Sequence, residues 1–114
     1  MVELDAMKSE LQTYKAPLAE VRDSLNLIGK TERAKELERE MQEPDFWDNP
    51  EMSNRKMKEL KNLQDTIDMY NHLESQVEDL GMLIQMAYEE NDEDLVADIR
   101  AELDEFVEEF EKIR

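Results

Sequence analysis

The stretch LKNLQDTIDMYNHLESQVEDLGMLIQMA, residues 60–87, decides the fold. Its apolar positions are Leu60, Leu63, Ile67, Tyr70, Leu73, Val77, Leu80, Ile84 and Ala87, at steps of 3-4-3-3-4-3-4-3. Steps of three and four keep side chains on one face of an α-helix, whereas a strand needs steps of two. The doubled step of three near Leu73 is a stammer in an otherwise heptad seam. Just upstream, Asn49-Pro50 marks a helix start. Asn caps, Pro is tolerated at the first helical position, and Glu51 complements the helix dipole. The resulting helix is roughly 55–60 Å long at 1.5 Å per residue. Gly81 is its weak point, about 1 kcal/mol less favourable than Ala.

Towards the N-terminus, Leu4, Met7, Leu11, Tyr14, Leu18, Val21, Leu25 and Ile28 form a second seam at 3-4-3-4-3-4-3. Pro17 interrupts it, because its ring clashes with the Thr13 carbonyl and it donates no hydrogen bond. The seam keeps register across Pro17, which predicts one kinked helix. Gly29 suits the left-handed position that closes a helix. Thr31 can then cap a short helix with Glu32 in its first turn and Ala34, Leu37 and Met41 as its stripe, ended by Pro44. Beyond the long helix, Asn91 or Asp92 caps a last one carrying Leu95, Ile99, Leu103, Phe106, Phe110 and Ile113. That pattern runs to the final residues without Gly, Pro or cap and reads as part of something longer. Short connections make neighbouring helices antiparallel. The expected fold class is all-α: an elongated antiparallel helical bundle, coiled-coil-like, with three long helices and one short helix, forming a single domain over residues 1–114. No repeat at a period of 30–50 residues argues for a solenoid.

Composition agrees with narrow helical seams. Charged residues are 39% of the 114, apolar residues are also 39%, and there are only two Gly. The net charge of −17 repels free nucleic acid and anionic membranes. Residues 81–114 hold 12 acids against 3 bases, so half the excess charge sits in the last third. That reads as a solvated helix face or as a surface for a basic partner. The absence of Cys excludes disulfides, zinc thiolates and thiol chemistry, and is compatible with a reducing cytoplasm. No apolar run approaches membrane-spanning length.

No constellation of catalytic residues presents itself. The single His72 lacks Cys partners, HLESQ is not a His-Glu-x-x-His motif, and Met69 stands where a bundle di-iron site would need Glu. From Asp92 the acidic run fails as an EF-hand loop, with Val96 and Ala97 at the fifth and sixth positions. Neither a metal nor a cofactor is expected, and the chain reads as no enzyme. Two groups remain. Arg55, Lys56, Lys58 and Lys61 form the only local basic cluster, a weak RNA-contact signal or a solvated face. Phe46 and Trp47, in EPDFWDNPE (residues 43–51), either staple a bundle corner or present an aromatic pair to a partner.

The run GKTERAKELEREMQEPDFWDNPE (residues 29–51), between a leucine seam and a long helix, resembles the N-terminal domain of the bacterial peptide chain release factors of the release factor 2 type. These are class-1 factors for UGA and UAA stop codons. The tail AYEENDEDLVADIRAELDEFVEEFEKI also resembles the end of that domain, so the likeness covers essentially the whole chain. Its most specific element is Pro44-Asp45-Phe46-Trp47. Many family members carry Leu-Asp where this chain has Leu25-Asn26. The resemblance implies a cytoplasmic role in translation termination as a non-catalytic ribosome-docking domain. It implies contact with the protein and rRNA of the ribosomal stalk base, and cooperation with the class-2 release-factor GTPase. The family's codon-reading Ser-Pro-Phe and hydrolytic Gly-Gly-Gln loops are absent from this sequence. Taken without the resemblance, the residues describe an acidic helical adaptor or holdase-like coiled coil unrelated to translation.

Overall fold

A computed structural model describes residues 1–113. Its regular structure is α1 (Val2–Gln12), α2 (Lys15–Ser24), α3 (Leu27–Glu40), a 3₁₀ turn (Phe46–Asp48), α4 (Pro50–Glu90) and α5 (Glu93–Ile113). No strand occurs among the described residues, and the expected all-α helical bundle is what the chain forms. The chain divides into two compact units, one of residues 22–70 and one of residues 1–21 with the chain from Asn71 onward.

In the second of these units, α1, the C-terminal half of α4 and α5 enclose a core of Leu4, Met7, Leu11, Leu73, Leu80, Ile84, Ala87, Val96, Ile99, Leu103, Phe106 and Phe110. The steps of three and four read from the sequence for α4 and α5 mostly turn inward, but Val77, Leu95 and Ile113 are only half-buried, and Val96, off the stripe, is buried. Tyr14 sits edge-on to both Phe106 and Phe110, at 5.4 and 5.6 Å between ring centres. Each buried Phe contributes on the order of 2–3 kcal/mol by removal from water. Arg100, the only base of α5 before Lys112, reaches Glu10 of α1 at 3.2 Å and Asp104 of its own helix at 2.5 Å. Asn91, in the left-handed region at φ 53°, makes the turn out of α4. The Asp92 carboxylate accepts from the backbone N–H of Asp94 and Leu95 and so caps α5.

The N-terminal seam departs from the expected single kinked helix. α1 ends at Gln12 and α2 begins at Lys15, with Pro17 inside the first turn of α2. There the missing N–H costs nothing, because first-turn donors have no intrahelical partner. The end of α1 tightens instead: Thr13 N–H bonds to Glu10 O at 3.1 Å, and the Thr13 hydroxyl donates to the same carbonyl.

The next junction also differs. Gly29 does not close a helix, and no Gly among the described residues has positive φ. The left-handed residue is Asn26 (φ 51°, ψ 54°), which caps α3 with its side chain accepting from Gly29 N–H at 3.3 Å. α3 therefore starts at Leu27, four residues before the expected cap. Thr31 lies inside it, its hydroxyl donating to Leu27 O at 2.9 Å. Starting the helix early rotates Ile28 off the seam, and it is 73% exposed.

In residues 22–70, α3 and the N-terminal half of α4 form an antiparallel hairpin around Ala34, Leu37 and Leu60, with Met41, Leu63 and Ile67 packed against them. Cross-helix ion pairs flank this seam. Arg33 binds Glu59 with two hydrogen bonds of 2.7 and 2.9 Å, and Lys56 binds Glu40.

Candidate functional site

The turn that joins α3 to α4 holds the aromatic pair. After Pro44, Phe46 N–H bonds to Glu43 O, and Phe46–Asp48 form one 3₁₀ turn. Asn49 then caps α4, its side-chain oxygen accepting from Met52 N–H at 3.1 Å, with Pro50 at the first helical position. Ser53 fastens the turn to the helix: its hydroxyl lies 2.6 Å from Phe46 O and 2.9 Å from Asn49 O and is 2% exposed. Sequence reasoning had no means to single out Ser53, a small polar residue in a helix first turn, because its burial depends on where the turn folds back. Phe46 is half-buried, and Trp47 lies edge-on to it at 4.8 Å with 51% of its surface exposed.

The four basic residues all lie on α4, in two states. Lys56 is held by Glu40, and Lys61 by Asp65 one turn on at 2.6 Å, which raises the Lys61 pKa. Arg55 and Lys58 are exposed and make no ion pair among the described residues. Asn54, Met57, Lys58, Lys61 and Asn62 line a surface concavity. Nearby, the Arg33 guanidinium holds the Glu59 carboxyl below its ordinary value, first by hydrogen bonding and then by charge. His72 is exposed, with Nε2 3.3 Å from a Glu109 carboxylate oxygen. Among the described residues no three His, Asp or Glu side chains are grouped to hold a metal ion. No described helix is long and apolar enough to cross a membrane. The surface thus offers two unpaired cations on one helix face and a half-exposed indole at the adjoining turn, features suited to binding.

Residues 30–114 match the PCRF domain family. Over 110 residues the chain is 37% identical to peptide chain release factor 2 of Exiguobacterium sp., an alignment that covers 96% of this chain and 27% of the relative. It is 32% identical to peptide chain release factor 2 of Chloroflexus aggregans over 100 residues, covering 88% of this chain and 27% of the relative. To the Haemophilus influenzae protein of the same name it is 30% identical over 113 residues, covering 99% and 31%. The chain thus spans less than a third of the length of these relatives. The matched segment opens within α3 and takes in the aromatic turn, all of α4 and α5, and on that match this chain belongs to the PCRF domain family.

Proposed function

We propose that this chain is the N-terminal, non-catalytic ribosome-docking domain of a class-1 peptide chain release factor, acting in translation termination in the cytoplasm. The observation that carries the reading is the PCRF match over residues 30–114, supported by the release factor 2 relatives that align along nearly all of the chain. The partners under this reading are the protein and rRNA of the ribosomal stalk base, and the class-2 release-factor GTPase. A net charge of −17 argues against docking by bulk phosphate attraction. The contact is instead local: Arg55 and Lys58 are free to meet rRNA, while Lys56 and Lys61 are first occupied by Glu40 and Asp65. A small contact area gives a weak isolated interaction, which tethering to the rest of the factor raises through effective concentration. Deleting residues 1–114 from the parent factor should therefore impair ribosome recruitment and GTPase-assisted recycling more than single-turnover hydrolysis at saturating factor. Normal recruitment and recycling by a folded truncated factor refutes the docking role. Peptide release by this chain alone refutes the non-catalytic one.

A further inference from the structure

We infer that the turn at residues 43–52 is a docking surface for a basic, arginine-bearing protein segment, with the Trp47 indole as its platform. The inference rests on the docking reading and deepens it by giving the chemistry of a partner at one surface. Trp47 is 51% exposed and Met52 43% exposed, two large apolar side chains within six residues of each other. The backbone beside this half-exposed indole is pinned by Ser53 and the Asn49 cap, so binding there needs little further ordering of the turn. The turn itself carries one sign of charge, with Arg39 and Arg55 flanking it in sequence. Glu43, Asp45, Asp48 and Glu51 lie within residues 43–52, and no base does. Glu43 is engaged by Arg39 at 3.2 Å, whereas Asp45, Asp48 and Glu51 have no ion-pair partner among the described residues.

An indole face attracts a guanidinium, and free carboxylates beside it supply the matching hydrogen-bond acceptors. Arg suits this arrangement better than Lys, because its planar cation both stacks and forks. Nucleic acid is disfavoured at the indole itself, since phosphates there would meet unpaired carboxylates, whereas Arg55 and Lys58 lie farther along α4. A second copy of this turn is disfavoured for the same reason.

Titration calorimetry of the whole chain against a short unstructured peptide of Arg, Gly and Ser tests the assignment, with Lys and Glu versions of the peptide alongside. The Arg peptide is expected to bind more tightly than the Lys peptide, and the Glu peptide not at all. Trp47→Ala should weaken Arg-peptide binding about fivefold or more, and Trp47→Phe, which keeps a ring on Phe46, should weaken it less. The triple variant Asp45→Asn, Asp48→Asn, Glu51→Gln should weaken it further than the charge-matched α5 control Glu102→Gln, Glu105→Gln, Glu108→Gln. Equal losses in those two triple variants mean attraction to bulk acidity and overturn the proposal, as does unaltered binding by both Trp47 variants. Concentration-dependent dimerisation abolished by Trp47→Ala in sedimentation would make the turn a self-interface and also overturn it. If peptide binding fails while deletion of residues 1–114 still abolishes ribosome recruitment of the parent, only this surface assignment falls.

Discussion

The two glycines should respond differently to the same substitution. Gly81 sits inside α4, and a methyl group added there meets no atom within 4 Å. Gly81→Ala thus carries no steric penalty and gains the helix-propensity difference, about 0.8–1.0 kcal/mol, part of it by restricting the unfolded chain. A methyl group on Gly29 would lie 2.3 Å from the Asn26 side-chain nitrogen and 2.8 Å from its Cγ. The amide must swing away, and the α3 cap it provides is lost. A lost cap costs about 1 kcal/mol, which cancels or exceeds what Ala gains in a first turn. The two variants should therefore differ by about 1–2 kcal/mol. Thermal unfolding followed by circular dichroism at fixed ionic strength reads this directly. Gly81→Ala should raise Tm by roughly 3–6 °C for a chain of this size, and Gly29→Ala should leave it unchanged or lower it. A Gly81→Ala protein that melts no higher than the parent refutes an unbroken, open α4 at that point. A Gly29→Ala protein stabilised as much as Gly81→Ala refutes the Asn26 cap.

Phe106→Ala, which empties a fully buried site against Tyr14 and Phe110, should cost about 3–5 kcal/mol in denaturant unfolding, whereas half-exposed Trp47→Ala should cost roughly 1 kcal/mol. Moderate salt should raise Tm from its low-salt value by screening the like charges of α5, such as Glu105 and Glu109 one turn apart; a flat or falling response contradicts that repulsion. The Glu59 carboxyl is held below its ordinary 4.5 by Arg33, so the stability it adds is present above pH 4.5 and is lost as pH falls through the lower folded value. The Tm gap between the parent and Glu59→Gln should accordingly close on the acid side of pH 4.5. A gap that persists unchanged to pH 2 rules out the Arg33 pair as its source.

Much of this architecture is legible in the amino-acid sequence, because short-range chemistry settles it. Asn49-Pro50 and Asp92 start helices where capping rules place them, and the inward faces of α4 and α5 are those marked by steps of three and four. The errors cluster between Thr13 and Thr31, where two local solutions compete. A Pro four residues after Thr13 is compatible with a kink or with a fresh helix start, and the Thr13 hydroxyl bond to Glu10 O is among the contacts that close α1. Gly29 is equally apt for ending a helix or for the third position of one. Asn26, entering the left-handed region and capping with its own side chain, settles that choice. At the candidate surface, Lys61–Asp65 follows from i,i+4 spacing. Lys56–Glu40 and the Ser53 clip need the hairpin closed, since their partners lie 16 and 7 residues away.

The half-exposed Trp47 has an optical consequence. It is the chain's only indole, and it belongs to the unit of residues 22–70. Its emission originates in that unit, so melting confined to the other unit, where Phe106 and Phe110 are buried, need not perturb its spectrum. Its native environment is already half water, so unfolding changes the polarity around it little and the spectral shift is small. Fluorescence melts would then under-represent a transition that backbone circular dichroism records in full. A small fluorescence amplitude is therefore expected, yet if the helices unfold together its normalised curve coincides with that of circular dichroism, and separated midpoints report the two units melting apart.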